Sequence, residues 1–369
     1  MTDERIYQIG LTMIHGVGDT IARQLLQACG SAEAVFREKK QLLEQIPHIG
    51  SALSEAIQQP DVLKRAEQEL LFAEKNHIRI FYWEDPDYPA RLKECDDAPL
   101  LFYFKGNANL DAALVLSIVG TRQATSYGRD CVEEILRELS RRFPDLLVVS
   151  GLAYGIDICA HQQSLQCKLP TVGVLAHGLD RIYPSVHRSI AIQMLQHGGL
   201  LTDFPTGTEP DKPNFVRRNR IIAGLADATL VAESSDRGGS LITADLAFSY
   251  GRDVFAIPGR ATDRHSRGCN KLIQQNKAAL VTSAEDLILA MRWDVQEKPT
   301  QLPKQTQLLF PEQEEKQQIL DLLAVRKEAH INELALALAL PVQQLNAILF
   351  EMELDGILKS MPGNRYKPV

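Results

Sequence analysis

The rhythm of apolar and polar positions changes twice along this chain. Up to about residue 75, apolar residues recur at helical spacing between glycine turns. The stretch from Met13 to Leu26 carries apolar positions on either side of Gly16 and Gly18, the pattern of a helix-hairpin-helix unit. A weaker copy runs from Ile46 to Ile57, which predicts a paired, five-helix-type (SAM-like) module. The turn glycines either let backbone N–H groups approach a phosphate or only close a tight turn between packed helices. Few lysines lie nearby, which favours the second reading.

From about Ile78 to Met291, short β-rich runs alternate with amphipathic helices. Leu114–Val119, Leu146–Ser150, Thr171–Leu175, Ala228–Ala232 and Asp253–Ile257 are continuously apolar in the middle, as strands buried on both faces must be. The alternation predicts a parallel sheet wrapped by helices, with ligands at the carboxyl ends of the strands. Beyond Met291 a stretch rich in Gln and Pro reads as a linker. Three further helical periods, Lys316–Leu323, Ile331–Leu338 and Val342–Asp355, precede a predicted hairpin around Pro362 and Gly363. The expected architecture is therefore a helical domain over 1–75, an extended Rossmann-like α/β domain over 76–293, a linker over 294–313 and a winged helix over 314–369.

Three loops at predicted strand ends bring small residues to a helix start: Gly120-Thr121-Arg122 onward, Ser150-Gly151 onward, and Ser234 to Thr243 with Gly238, Gly239 and Ser240. Free N–H groups and the positive end of a helix dipole favour an anion there. Glycine is also the default residue at strand-to-helix turns, so each loop alone is a weak signal. Arg122 places a fork-shaped cation at this edge, either for a backbone phosphate or for a loop carboxylate.

Composition narrows the chemistry. The chain has 369 residues, 45% hydrophobic content and a net charge of −7. No stretch approaches the roughly 18 to 20 apolar residues of a membrane span, and the acidic start is unlike a signal peptide, so a soluble, cytoplasmic protein is expected. Six scattered cysteines form no Cys-x-x-Cys pair, which argues against a zinc site or a disulfide framework. The acidic balance counts against a broad basic face for duplex DNA, so any nucleic-acid site must be local.

Such a local site is visible at 212–224, where Lys212, Arg217, Arg218 and Arg220 flank Phe215 and Asn219 at a predicted helix start. Cations that neutralise phosphates beside a ring that stacks an unpaired base suit single-stranded nucleic acid. Catalytic signals are thin: Asp157 and His161 share a helix face at i and i+4, while His177, His187, Asp203 and Asp227 are single candidates with structural roles. Neither a Gly-x-Gly-x-x-Gly dinucleotide turn nor a P-loop is present, so no cofactor is expected.

The central block resembles the DNA-processing protein A family (DprA, or Smf). The resemblance rests on Val119-Gly-Thr-Arg122, Ser150-Gly-Leu-Ala-Tyr-Gly-Ile-Asp157, Phe215-Val-Arg-Arg-Asn-Arg-Ile-Ile-Ala-Gly224 and Gly238-Gly-Ser-Leu-Ile-Thr-Ala244, in that order. Departures are Val216 for a proline, Thr121 and Gly239 for serines, Ala176 for a glycine, and Asn276-Lys-Ala278 within the usual Gly-Ala. The resemblance implies a non-enzymatic, dimeric protein. It further implies that such a protein binds single-stranded DNA entering during natural transformation, protects it, and loads RecA recombinase onto strands coated by single-strand-binding protein. It also implies that Arg122 and Lys212 meet phosphates, that Phe215 stacks a base with the Arg218-Asn219-Arg220 run beside it, and that the glycine loops supply backbone donors. The rival is a nucleotide-processing hydrolase of the lysine-decarboxylase-like Rossmann type. Its nearest segment here, Gly238–Asp245, lacks the second glycine turn and the glutamate at that offset. In the winged helix, the third helix carries carboxylates and no Arg or Lys, which argues against groove reading. The domain is then expected to make a protein contact, or an auxiliary strand contact through Lys359, Arg365 and Lys367 on the wing, unless those charges serve only solubility.

Overall fold

The computed structural model describes residues 4–293, 311–361 and 364–368, which form two compact units, one within 1–294 and one within 295–369. The expected linker lies almost wholly outside these residues, as does the Pro362-Gly363 turn.

The first unit opens with six helices: α1 (Glu4–Met13), α2 (Asp19–Cys29), α3 (Ala32–Arg37), α4 (Lys40–Leu43), α5 (Ser51–Ile57) and α6 (Pro60–Lys75). The first predicted hairpin is the α1–α2 turn, where Gly16 adopts φ +85°. The second copy is less regular, because Ile46 lies in the turn after α4 and the helix starts only at Ser51. Ile9, Leu11, Leu25, Val35, Leu43 and Ile57 form the core of this module. That core continues onto Tyr82, Leu101 and Tyr103 of the sheet.

The sheet has nine strands: β1 (Arg79–Tyr82), β2 (Leu101–Gly106), β3 (Val115–Gly120), β4 (Leu147–Ser150), β5 (Thr171–Val174), β6 (Gly198–Thr202), β7 (Ala228–Glu233), β8 (Asp253–Ala256) and β9 (Ala279–Leu280). Their spatial order is β1-β2-β6-β5-β4-β3-β7-β8-β9, with β1–β2 and β2–β6 antiparallel and every other pair parallel. Helices α7 (Ala90–Lys93), α8 (Ser126–Arg142), α9 (Ile156–Gln166), α10 (Arg188–Met194), α11 (Lys212–Gly224), α12 (Gly239–Ser249), α13 (Arg267–Gln274) and α14 (Ala284–Met291) complete the unit. One face of the sheet packs on Ile221 and Ile222 of α11, Ala244 and Ala247 of α12, and Cys269 and Leu272 of α13. The other packs on Val132 and Ile135 of α8, Ile156 and Ala160 of α9, and Leu287 and Ile288 of α14. The fold is thus doubly wound, as expected. Strand β3 lies between β4 and β7, so the winding direction reverses there, and the loops leaving β3 and β7 border one crevice.

The second unit holds α15 (Pro311–Arg326), β10 (Ala329–His330), α16 (Ile331–Leu338), α17 (Val342–Leu354), β11 (Leu358–Met361) and β12 (Arg365–Pro368), with strand order β10-β12-β11. Ile319, Leu323, Leu334, Leu345, Leu349 and Leu358 form its core. This is the predicted winged helix. Among the described residues no single helix is long and apolar enough to cross a membrane, and no group of three or more His, Cys, Asp or Glu side chains is placed to hold a metal ion.

Candidate nucleic-acid interface

Helix α11 starts at Lys212 with Pro213 in its first turn, where the missing N–H costs nothing. From there Phe215, Arg218, Asn219 and Ile222 follow at i, i+3, i+4 and i+7, so they share one face. That face forms a wall of a cleft of about 720 Å³. The opposite wall is the loop after β3 (Gly120, Thr121, Arg122), and the loop after β7 with the start of α12 (Arg237, Gly238, Gly239, Ser240) closes one end. The cleft therefore sits at the reversal of strand order.

Its charge is the inverse of the whole molecule's. Arg122, Lys212, Arg218 and Arg237 line it, against the single carboxylate of Asp157. No described carboxylate lies within ion-pair distance of Arg122, so the alternative of a loop salt bridge does not hold. Its guanidinium rests 4.9 Å from the centroid of the half-buried Phe215 ring, Arg218 lies 5.9 Å from the same centroid, and the Tyr183 ring is tilted at 6.0 Å. Cations over a ring face are attracted by its quadrupole.

Arg218 is buried, and its guanidinium donates to the carbonyls of Gly151, at 2.6 Å, and Val174. It thereby ties α11 to the carboxyl ends of β4 and β5. Burial pulls its pKa down to about 10, against the opposing pull of Asp157. Burial likewise raises the Asp157 carboxyl, with the charge of Arg218 opposing the rise. Asp157 is a first-turn residue of α9, and both ring nitrogens of His161 are engaged elsewhere. The His161 ring donates from Nδ1 to Thr171 Oγ1 at 2.7 Å, since that hydroxyl is itself committed to the Val148 carbonyl. Its Nε2 accepts from Leu152 N–H at 3.3 Å.

The three expected anion cradles are not equivalent. At α8, Thr125 caps the helix and the buried Glu233 carboxylate accepts from Thr125 N–H at 2.9 Å and Thr125 Oγ1 at 2.7 Å, so the protein supplies its own anion there. At α9 no side chain caps the helix, and the Ile156 N–H is taken by the Thr121 carbonyl at 3.1 Å. Helix α12, starting after Gly238, likewise has no side-chain cap, and its start lines the cleft. Ser240 Oγ turns inward to Ser234 Oγ at 2.9 Å. Ser150 is buried, its Oγ donating to the Ile118 carbonyl at 2.6 Å, and Gly151 backs onto Arg218. Both shape the cleft from beneath and do not line it.

Two expected cations face elsewhere. Arg217 lies 3.3 Å from Asp203 and 3.6 Å from Asp19, and Arg220 lies 2.7 Å and 3.0 Å from the same carboxylates. Neither lines the cleft, because their positions on α11 point away from the Phe215 face. The remaining single candidates are structural: His177 and His187 bond to backbone carbonyls, and Asp227 pairs with Arg91 at 2.5 Å. Arg237 was not singled out from the sequence, although it stands beside Gly238 in a loop that was.

Residues 79–292 match the family profile of DNA recombination-mediator protein A, and residues 303–364 match that of the DprA winged helix domain. The chain belongs to the DNA recombination-mediator protein A family. It is 32% identical over 352 residues to the putative DNA processing protein DprA of Mycobacterium tuberculosis (strain CDC 1551 / Oshkosh), covering 92% of this chain and 88% of that protein. With DprA of Streptococcus pneumoniae (strain ATCC BAA-255 / R6) it shares 42% identity over 204 residues, 55% of this chain and 71% of the relative. Among solved structures, S. pneumoniae DprA superposes with a TM-score of 0.64 at 33% identity over 79% of this chain and 98% of that one. DNA processing protein A from Helicobacter pylori, solved for its single-stranded DNA binding mode, gives 0.53 at 28% identity over 59% and 98%. The family's matched region contains the entire cleft.

Proposed function

We propose that this cleft binds single-stranded DNA without regard to base sequence. The chain then acts as a non-enzymatic recombination mediator that protects strands entering in natural transformation and loads RecA recombinase onto strands coated by single-strand-binding protein. The observation that carries the reading is the Arg122 guanidinium over Phe215 in a cleft with four cations and one carboxylate. A base entering the cleft stacks on the Phe215 ring. Arg122 and Lys212 then meet the flanking phosphates, and the open start of α12 supplies N–H donors. The stacking and charge terms are indifferent to base identity, which makes the binding sequence-independent. The relative from H. pylori, with its single-stranded DNA binding mode, supports the assignment.

The hydrolase alternative finds no support in the site. Glu233 is bonded to Thr125, and the cleft's one carboxylate, Asp157, feels the charge of the Arg218 guanidinium, an arrangement that speaks against acid–base work on a glycosidic bond. Binding is tested by anisotropy titration of labelled oligothymidylate. Mediation is tested by following RecA assembly on strands coated with single-strand-binding protein, which the chain should accelerate and an Arg122→Ala, Lys212→Ala variant should not. Light scattering tests the homodimer that the family resemblance implies. Release of free base from nucleoside monophosphates would instead favour the hydrolase.

A further inference from the structure

The loop and helix that carry Lys212 and Phe215 are held from behind by the N-terminal helices. Asp19, the first residue of α2, follows directly on the hairpin turn at Gly16 and Gly18. Its carboxylate turns inward, accepting from Leu100 N–H at 2.8 Å and lying 3.0 Å from Arg220. Asp203, just past β6, meets the other side of Arg220 at 2.7 Å, and Arg217 spans both carboxylates. Two carboxylates and two guanidinium groups thus balance, with the Asp203 and Arg220 side chains only 1% and 8% exposed. Further along the same segment, Glu69 of α6 is buried and accepts from Thr206 N–H at 2.9 Å and Thr206 Oγ1 at 2.5 Å. Arg65, paired with Glu69 at 2.9 Å, donates to the Thr206 carbonyl at 2.7 Å. Residues 203, 206, 217 and 220 are therefore pinned to α2 and α6, whereas Lys212, Phe215 and Asn219 between them face the cleft.

From this arrangement we infer that the helical module is part of the strand-binding machinery, with Asp19 and Glu69 as positioning residues that set where α11 presents the Phe215 ring. The inference rests on the reading of the cleft as a single-strand site. It also gives the hairpin turn a task other than phosphate contact. Residues 14–22 contain no Lys or Arg, and the carboxylate that the turn presents is directed at α11. A buried, charge-balanced set is sensitive to loss of one member, because the remaining charges then lack compensation.

The test is an oligothymidylate carrying one 2-aminopurine, whose fluorescence is quenched on stacking. Asp19→Asn should weaken binding by about tenfold and reduce the quenching at saturation, while the salt dependence stays as in the parent because no phosphate contact is removed. Glu69→Gln should act in the same direction, and it decides the matter if Asp19→Asn does not fold. Ile57→Ala opens a cavity in the core of the same module, away from the network, and should lower the melting temperature without altering affinity or quenching. Parent-like affinity and quenching in the folded network variant, or an equal loss in Ile57→Ala, would overturn the inference. If the parent protein itself neither binds nor quenches, the cleft reading fails first and this inference with it.

Discussion

Phe215 stands between a free guanidinium and a buried one, and this placement separates stacking from charge. Phe215→Ala should cost about 1 to 3 kcal/mol of single-strand affinity with an unchanged salt slope. Arg122→Ala should reduce the slope of log affinity against log salt by about 0.7, the signature of one lost phosphate contact. Titrations at several salt concentrations check both. Much of this was legible, since the ring, the amide and the basic run lie within one short segment. What the segment alone did not separate is the two faces of the helix. Placing Phe215, Arg218 and Ile222 in one phase leaves Arg217 and Arg220 out of it, but their carboxylate partners, Asp19 and Asp203, come from distant parts of the chain.

His161 makes a pH-dependent statement at the same scale. Burial, then the charge of Arg218, pushes its pKa down from 6.5 to about 3, so the folded ring stays neutral where the unfolded one takes up a proton. The stability it contributes is complete above pH 6.5 and declines as pH falls from there towards 3. Thermal melts at successive pH values should show the decline, and His161→Gln should flatten it.

At the scale of elements, the site depends on how three strand-end loops fit together. Gly155 has φ +80°, and a Cβ there would stand 2.1 Å from the Thr121 carbonyl oxygen. Thr121 in turn accepts from Ile156 N–H at 3.1 Å, so the α9 turn is built against the loop bearing Arg122. Gly155→Ala should lower stability by about 2 kcal/mol or more, read as a shift in denaturation midpoint, and should weaken strand binding as the Arg122 loop moves. The five strands expected from continuous apolar runs are all present. Strand β6 was not expected because it begins Gly198-Gly199 and shows no apolar run. Those glycines are needed where the strand passes close to Thr171 and Phe104. Strand β1 is a short edge strand, and β9 has two residues, both exposed, so neither carries the pattern of a buried strand. The closure of the α8 helix start by Glu233 was equally hidden, because a glycine turn looks the same whether or not the protein supplies its own anion.

For the whole molecule, a net charge of −7 opposes a general attraction to DNA, while the cleft gathers four cations, two of them over the Phe215 ring. Paired bases are unavailable to Phe215, so single strands should be strongly preferred to duplex of the same length. In a competition titration, unlabelled duplex should displace a labelled single strand only at large excess. Within the winged helix, α17 carries no Lys or Arg; its Glu351 pairs with Lys316 and its Glu353 is bonded to Ser360. The most direct measurement is a structure determined with a short oligothymidylate bound. A base against Phe215, with phosphates reached by Arg122, Lys212 and the first turn of α12, is the result this account predicts. An oligonucleotide ordered elsewhere on the molecule, with Arg122 still resting on the Phe215 ring, would contradict it.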